Sequence, residues 1–211
     1  MDTDRLIVYV DGFNLYHGLH DKWKCQQLWL DLHALATSLR PRSTLLKVNY
    51  FTAPVLNDAG AASRQSDYQA ALKAHSEGAV DVIQGRYQAK LMTCRTCGAT
   101  YTRYEEKETD VNIAVRLVSD AAIGRMDSAI IISADSDLAP AIRTARQVNP
   151  RLFVAAAFPP KRYSAELHKL MPRSMHIGHE KIRQSQLPET VTDRAGASWS
   201  RPTKWGSKQV S

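Results

Sequence analysis

The chain has 211 residues, of which 44% are hydrophobic, enough to bury a sizeable core and too many for a disordered polymer. Its formal net charge of +7 at pH 7 favours a polyanionic partner, nucleic acid first, and says nothing about the fold. No apolar stretch approaches the roughly 20 residues of a membrane helix. The opening from Met1 to Asp4 lacks the basic and apolar regions of a secretory leader, so a cytoplasmic location is expected.

Apolar residues 6–10 read as a strand buried on both faces, running straight into Asp11. Helical patterns follow over 14–22 and 31–39, the second with Asp31 near its cap and Pro41 just past its end. A second strand over 45–52 stops before Pro54, and the polar stretch 57–60 leads into a helix over 63–76. A third strand covers 80–87. Residues 89–106 break the alternation: they hold Cys94 and Cys97 among Arg and Tyr side chains and read as an inserted ribbon or knuckle. From Thr109 onward, Val111, Val115, Val118 and Ala122 are spaced for one buried helical face. The fourth strand, 129–133, is followed by Asp135 and Asp137 and by a helix over 138–148, with Pro140 in its tolerated first turn. A fifth strand over 152–158 is halted by Pro159 and Pro160, and a short helix over 164–171 and a last strand over 175–177 complete a domain spanning 1–182. Residues 183–211 are polar and basic without a period, and a flexible tail is expected there; its Arg194, Arg201, Lys204 and Lys208, mixed with Trp199 and Trp205, suit RNA capture. Trp23 and Trp29 read as core or interface residues. Alternating strands and helices predict the α/β class, with a mainly parallel central sheet flanked by helices.

Two buried strands that both end in acid are the main functional signal. Open α/β sheets hold their ligands at the carboxyl ends of the strands, where Asp11 follows the first strand and Asp135 and Asp137 follow the fourth. Asp110, at the start of the periodic helix, is a fourth candidate. Carboxylates converging on one edge repel one another unless a cation neutralises them, and Mg or Mn prefers such oxygen ligands. Two such ions would activate water and steady the leaving oxygen of a phosphodiester, with Asn14 and either Ser133 or Ser136 orienting water or phosphate. Each acid also has a structural reading as a turn or helix cap: Asp110 and Asp137 at helix starts, Asp11 before a glycine, and Asp135 ahead of the next helix. Rival chemistries lack their residues. Phe13 stands where a haloacid-dehalogenase phosphatase needs a second Asp, and neither a dinucleotide-binding glycine turn nor an NTPase phosphate loop is present.

Three motifs in this order resemble the NYN domains of the PIN-like nuclease superfamily, especially the bacterial LabA-like branch. They are Tyr9 to Tyr16 (YVDGFNLY), Glu106 to Ala114 (EKETDVNIA) and Ile132 to Pro140 (ISADSDLAP), within a match from about residue 5 to residue 178. The resemblance implies a Rossmann-like PIN/NYN fold and metal-dependent cleavage of RNA by an acidic cluster. It places Asp11, Asp110, Asp135 and Asp137 on the family's acidic positions, Asn14 and Ser133 on its polar ones, and Lys107 on a basic one. Ala134 stands where relatives often carry Gly, a change that removes backbone freedom but no ligand. The expected function is therefore a metal-dependent endoribonuclease using Mg or Mn. The alternative is a noncatalytic RNA-binding or regulatory module on the same fold.

Cys94 and Cys97, followed by Gly98, have the spacing of a zinc knuckle, but a tetrahedral site needs two more ligands. Cys25 or His75 would have to supply them, or a second knuckle across a homodimer. Arg103 and Lys107 near the insert, with Lys161 and Arg162 after the fifth strand, are the candidate RNA contacts.

Overall fold

The computed structural model describes residues 4–206, apart from the side chains of Arg103, Glu105 and Glu106. In chain order the elements are β1 (Arg5–Asp11), α1 (Gly12–Trp23), α2 (Leu32–Leu39), β2 (Thr44–Thr52), α3 (Ala59–His75), β3 (Val80–Gln84), β4 (Arg86–Thr93), β5 (Thr100–Lys107), α4 (Thr109–Ala122), β6 (Ser128–Ile132), α5 (Ala139–Val148), β7 (Phe153–Phe158), α6 (Ala165–Leu170), β8 (Met175–His176), α7 (His179–Gln184), β9 (Thr190–Thr192) and β10 (Ser198–Ser200). Six strands form one parallel sheet in the order β3-β2-β1-β6-β7-β8. The chain is thus α/β, as its alternation predicts, and β4 and β5 make the separate antiparallel pair that carries Cys94 and Cys97 in its turn.

Alternation along β1 divides the core in two. Leu6, Val8 and Val10 face one layer with α1, α2, α3 and the C-terminal segment, while Ile7 and Tyr9 face the other with α4, α5 and α6. Gly12 opens α1 against the edge of β2, where a Cβ would stand 2.6 Å from the Phe51 carbonyl oxygen. Any larger residue there would push the helix off the strand end. On the other face Asp120 is buried, accepting from the Tyr9 hydroxyl at 2.9 Å and pairing with Arg116 at 3.1 Å and Arg125 at 2.9 Å, which fastens α4 to β1. Burial, with the adjacent Asp120 charge, raises the Tyr9 pKa far above its ordinary value.

Two expectations fail. The buried stripe of α4 is Thr109, Ile113, Leu117, Asp120 and Ala121, whereas Val111 and Val115 are 62% and 59% exposed. Both stripes have helical spacing, and only the position of α5 and β1 decides which one is covered. The expected flexible tail is also folded as far as Gly206: α7 and the β9–β10 hairpin lie against the domain, with Leu187, Val191 and Trp205 buried. Trp205 packs at 5.9 Å from Tyr68 and 6.3 Å from Trp29, ring centre to ring centre, and the Trp29 indole donates to the Pro188 carbonyl at 2.7 Å. Leu187, Val191 and Trp205 follow no local period, yet all three join the core layer that holds Trp29 and Tyr68. Lys208 lies outside the described residues. Among the described residues, no helix is long and apolar enough to cross a membrane.

Candidate nucleic-acid groove

The sheet order reverses between β1 and β6, and the carboxyl ends of these two strands flank the crevice where such folds hold ligands. Asp11, the last residue of β1, is only 5% exposed. One of its oxygens accepts from the Asn14 backbone N–H at 3.0 Å, capping α1, and the other accepts from the Ser133 hydroxyl at 2.8 Å. The Asn14 side-chain oxygen in turn accepts from the Ala134 amide at 3.1 Å. Ser133 Oγ accepts from the Asp135 amide at 3.0 Å, and Asp135 Oδ1 from the Asp137 amide at 2.9 Å. This relay ties the end of β1 to the loop after β6. Burial is the main influence on Asp11 and raises its pKa above the usual carboxylate value. The nearby Asp135 charge adds to that shift, and the hydrogen bonds from Asn14, Ser133 and the Phe13 amide oppose it.

An open groove of about 370 Å³ lies over this junction, lined by Asp11, Asn14, Asp110, Asp135, Thr109 and Arg162 among others. Four of the six expected polar positions therefore meet in it. The other two do not line it: Ser133 is buried, and Asp137 is exposed in the one-turn 3-10 helix Ser136–Leu138. Of the expected RNA contacts, Arg162 lines the groove while paired with Asp21 at 2.6 Å. Lys161 is exposed in the turn after β7, and Lys107 is exposed at the end of β5, two residues before Thr109. The Arg103 side chain lies outside the described residues. Phe13 and His17 also line the groove. His17 follows Asn14 by three residues, one helical turn, and that spacing could have found it.

The pattern that defines the NYN domain matches residues 5–175. The chain belongs to the NYN domain family. Among curated proteins it is similar to 6-hydroxy-3-succinoylpyridine 3-monooxygenase HspA of Pseudomonas putida, with 28% identity over 240 residues covering 95% of this chain and 75% of that protein. Among solved structures it is similar to a protein of unknown function from Vibrio parahaemolyticus, with a TM-score of 0.54 and 16% identity over 84% of this chain and 95% of that one. At that identity the second likeness concerns the fold alone.

The NYN fold is present, but the expected metal chemistry is not supported. Among the described residues, no group of three or more His, Cys, Asp or Glu side chains is placed to hold a metal ion. This overturns the expectation of a metal-dependent ribonuclease with Mg or Mn on Asp11, Asp110, Asp135 and Asp137. The physical reason is orientation. Both Asp11 oxygens turn back into the fold, Asp135 caps the 3-10 turn, and Asp137 stands outside the groove. Zinc on Cys94 and Cys97 is overturned by the same finding. The two cysteines share the β4–β5 turn, where the amides of Cys97 and Thr96 hold the Cys94 thiol below its usual pKa. Neither proposed completing ligand belongs to that turn: Cys25 lines a cavity beside α1, and His75 stands 3.3 Å from Asp31.

Proposed function

We propose that this NYN protein is a noncatalytic RNA-binding module that holds single-stranded RNA across the groove and the β4–β5 hairpin without hydrolysing it. The observation that carries this reading is the commitment of the groove's acids to the fold: Asp11 caps α1 and accepts from the Ser133 hydroxyl, which joins β1 to the loop after β6, and Asp135 caps the 3-10 turn by accepting from the Asp137 amide. The relay leaves them as structural and recognition groups. Phosphates would follow the cations beside the groove, where Lys107 ends the hairpin and Lys161 and Arg162 follow β7. Bases, with amino groups that carboxylates accept, would face Asp110 and Asp135. The hairpin adds exposed Arg95 and half-exposed Tyr101 and Tyr104, cations and stacking faces of the kind single strands use. Within the family, the three sequence motifs favour the LabA-like branch.

The test is anisotropy of an unstructured labelled RNA against salt concentration, with the recovered RNA then sized on a gel. Binding should weaken with salt by about 0.7 in logarithmic slope for each phosphate neutralised. Arg95→Ala combined with Tyr101→Ala should lower both affinity and slope. The RNA should keep its length in Mg or Mn. Shortening that EDTA stops and Asp135→Asn abolishes would return the protein to the hydrolases, and no binding at low salt would remove RNA as the partner.

A further inference from the structure

A second opening lies on the α1 and α3 side of the sheet, separated from the groove by Phe13 and His17, which line both. It is a cavity of about 400 Å³ at the ends of β1 and β2, within the span of roughly 300 to 1,000 Å³ common for small-molecule sites. Its walls are mostly apolar. Leu19, Leu28 and Ala61 line it together with the rings of Tyr16, Tyr50, Tyr68 and Trp205. Trp205 comes from the folded C-terminal segment, so the cavity is complete only when that segment is docked. Gln65 fixes the rim by accepting from the Val55 amide at 2.9 Å and donating to the Ala53 carbonyl at 2.9 Å.

Two cations line this apolar space, half-buried Arg64 from α3 and exposed Lys204 beside Trp205. The contrast among half-buried arginines is the informative observation. Arg40, Arg116, Arg162 and Arg201 each pair with a carboxylate, and Arg146 donates to the Leu170 and Val154 carbonyls. Arg64 alone of this group has neither a hydrogen bond nor an ion pair among the described residues. A half-buried guanidinium without an acceptor, facing an aromatic cavity, is complementary to a planar anion.

We infer that this cavity binds a small aromatic carboxylate, its ring held among Tyr16, Tyr50 and Trp205 and its carboxylate received by Arg64 and Lys204. The rings supply flat apolar area with few degrees of freedom to lose, and the cations select the charged end. Selectivity should therefore reside in Arg64 and capacity in the cavity itself. The inference is independent of RNA binding, since none of the proposed RNA contacts contributes to this charge pair.

The probes are 2-naphthoate and its neutral isostere 2-naphthamide, titrated into the full chain by calorimetry, with tryptophan fluorescence as a second readout. One molecule of 2-naphthoate should bind per chain, about tenfold tighter than the amide, the size expected of one charge-assisted contact. Arg64→Gln should bring the acid down to the affinity of the amide and leave the amide unchanged. Ala61→Phe, which fills the cavity, should abolish both, with retained melting behaviour checking the fold. Three results would overturn the inference: no saturable binding of either probe, equal affinity of the wild type for acid and amide, or 2-naphthoate binding unaffected by Arg64→Gln.

Discussion

Asp11 illustrates how a residue can stand where a ligand is expected and still serve the fold. Its side chain is buried at the strand end and hydrogen-bonded by Asn14 and Ser133, yet burial prevails and its pKa is raised. The charged form is thus less favourable in the folded state than in the unfolded chain. With a folded pKa above the unfolded value of about 3.9, the stability this group confers is fully present below that value and is lost as pH rises through the folded pKa. Asp11→Asn removes the titration and keeps an oxygen for the Asn14 amide. The variant should therefore melt higher than the wild type near neutral pH, with the margin closing as pH falls toward about 4. A pH series of thermal melts checks this, and a margin that widened toward acid would reverse the sign of the argument. What the sequence reveals here is position along the strand. Which way each carboxylate oxygen points depends on Ser133, more than a hundred residues away, and so the expected metal site was legible as a location while its orientation was not.

At the scale of elements, the sequence reads well wherever burial repeats with a period. Each principal strand of the sheet and its flanking helices can be found from apolar runs, caps such as Asp31, and breakers such as Pro159. α4 shows where this reading stops, because Val111, Val115 and Val118 compete with Ile113 and Leu117 for the name of core, and both sets have helical spacing. The structure chooses the second, with Ile113 and Leu117 fully buried and Val115 exposed. Ile113→Ala should consequently cost about 2 to 5 kcal/mol for the cavity it leaves. Val115→Ser should change stability by less than about 0.5 kcal/mol. Denaturant unfolding distinguishes them by midpoint at constant slope, and equal costs would mean that the exposed stripe is covered. The C-terminal segment was unreadable for a related reason: Leu187, Val191 and Trp205 join the core layer that holds Trp29 and Tyr68, a long-range burial that no local pattern announces.

The whole molecule separates into a sheet-centred body and a projecting hairpin, and the separation can be tested. Among the described residues β4 and β5 pair only with each other, as a sheet of their own, and the described side chains of the hairpin are largely exposed on both faces. Such an element contributes little to either core layer, which are built from β1, β2, β6, β7 and the helices. It nevertheless joins β3 to α4, leaving Glu108 in a left-handed conformation (φ 79°) just before Thr109 enters the groove. Replacing residues 86–107 with a short Gly/Ser linker should therefore leave the body folded. For a chain of this size, a loss of about 1 kcal/mol would lower the melting temperature by only about 2 to 4 °C. The same deletion removes Arg95, Tyr101, Tyr104 and Lys107, so RNA affinity and its salt dependence should fall together while binding of 2-naphthoate to the α1–α3 cavity persists. A folded deletion variant that bound RNA with unchanged salt slope would move the nucleic-acid surface off the hairpin. A variant that failed to fold would show that this outlying sheet supports the body after all.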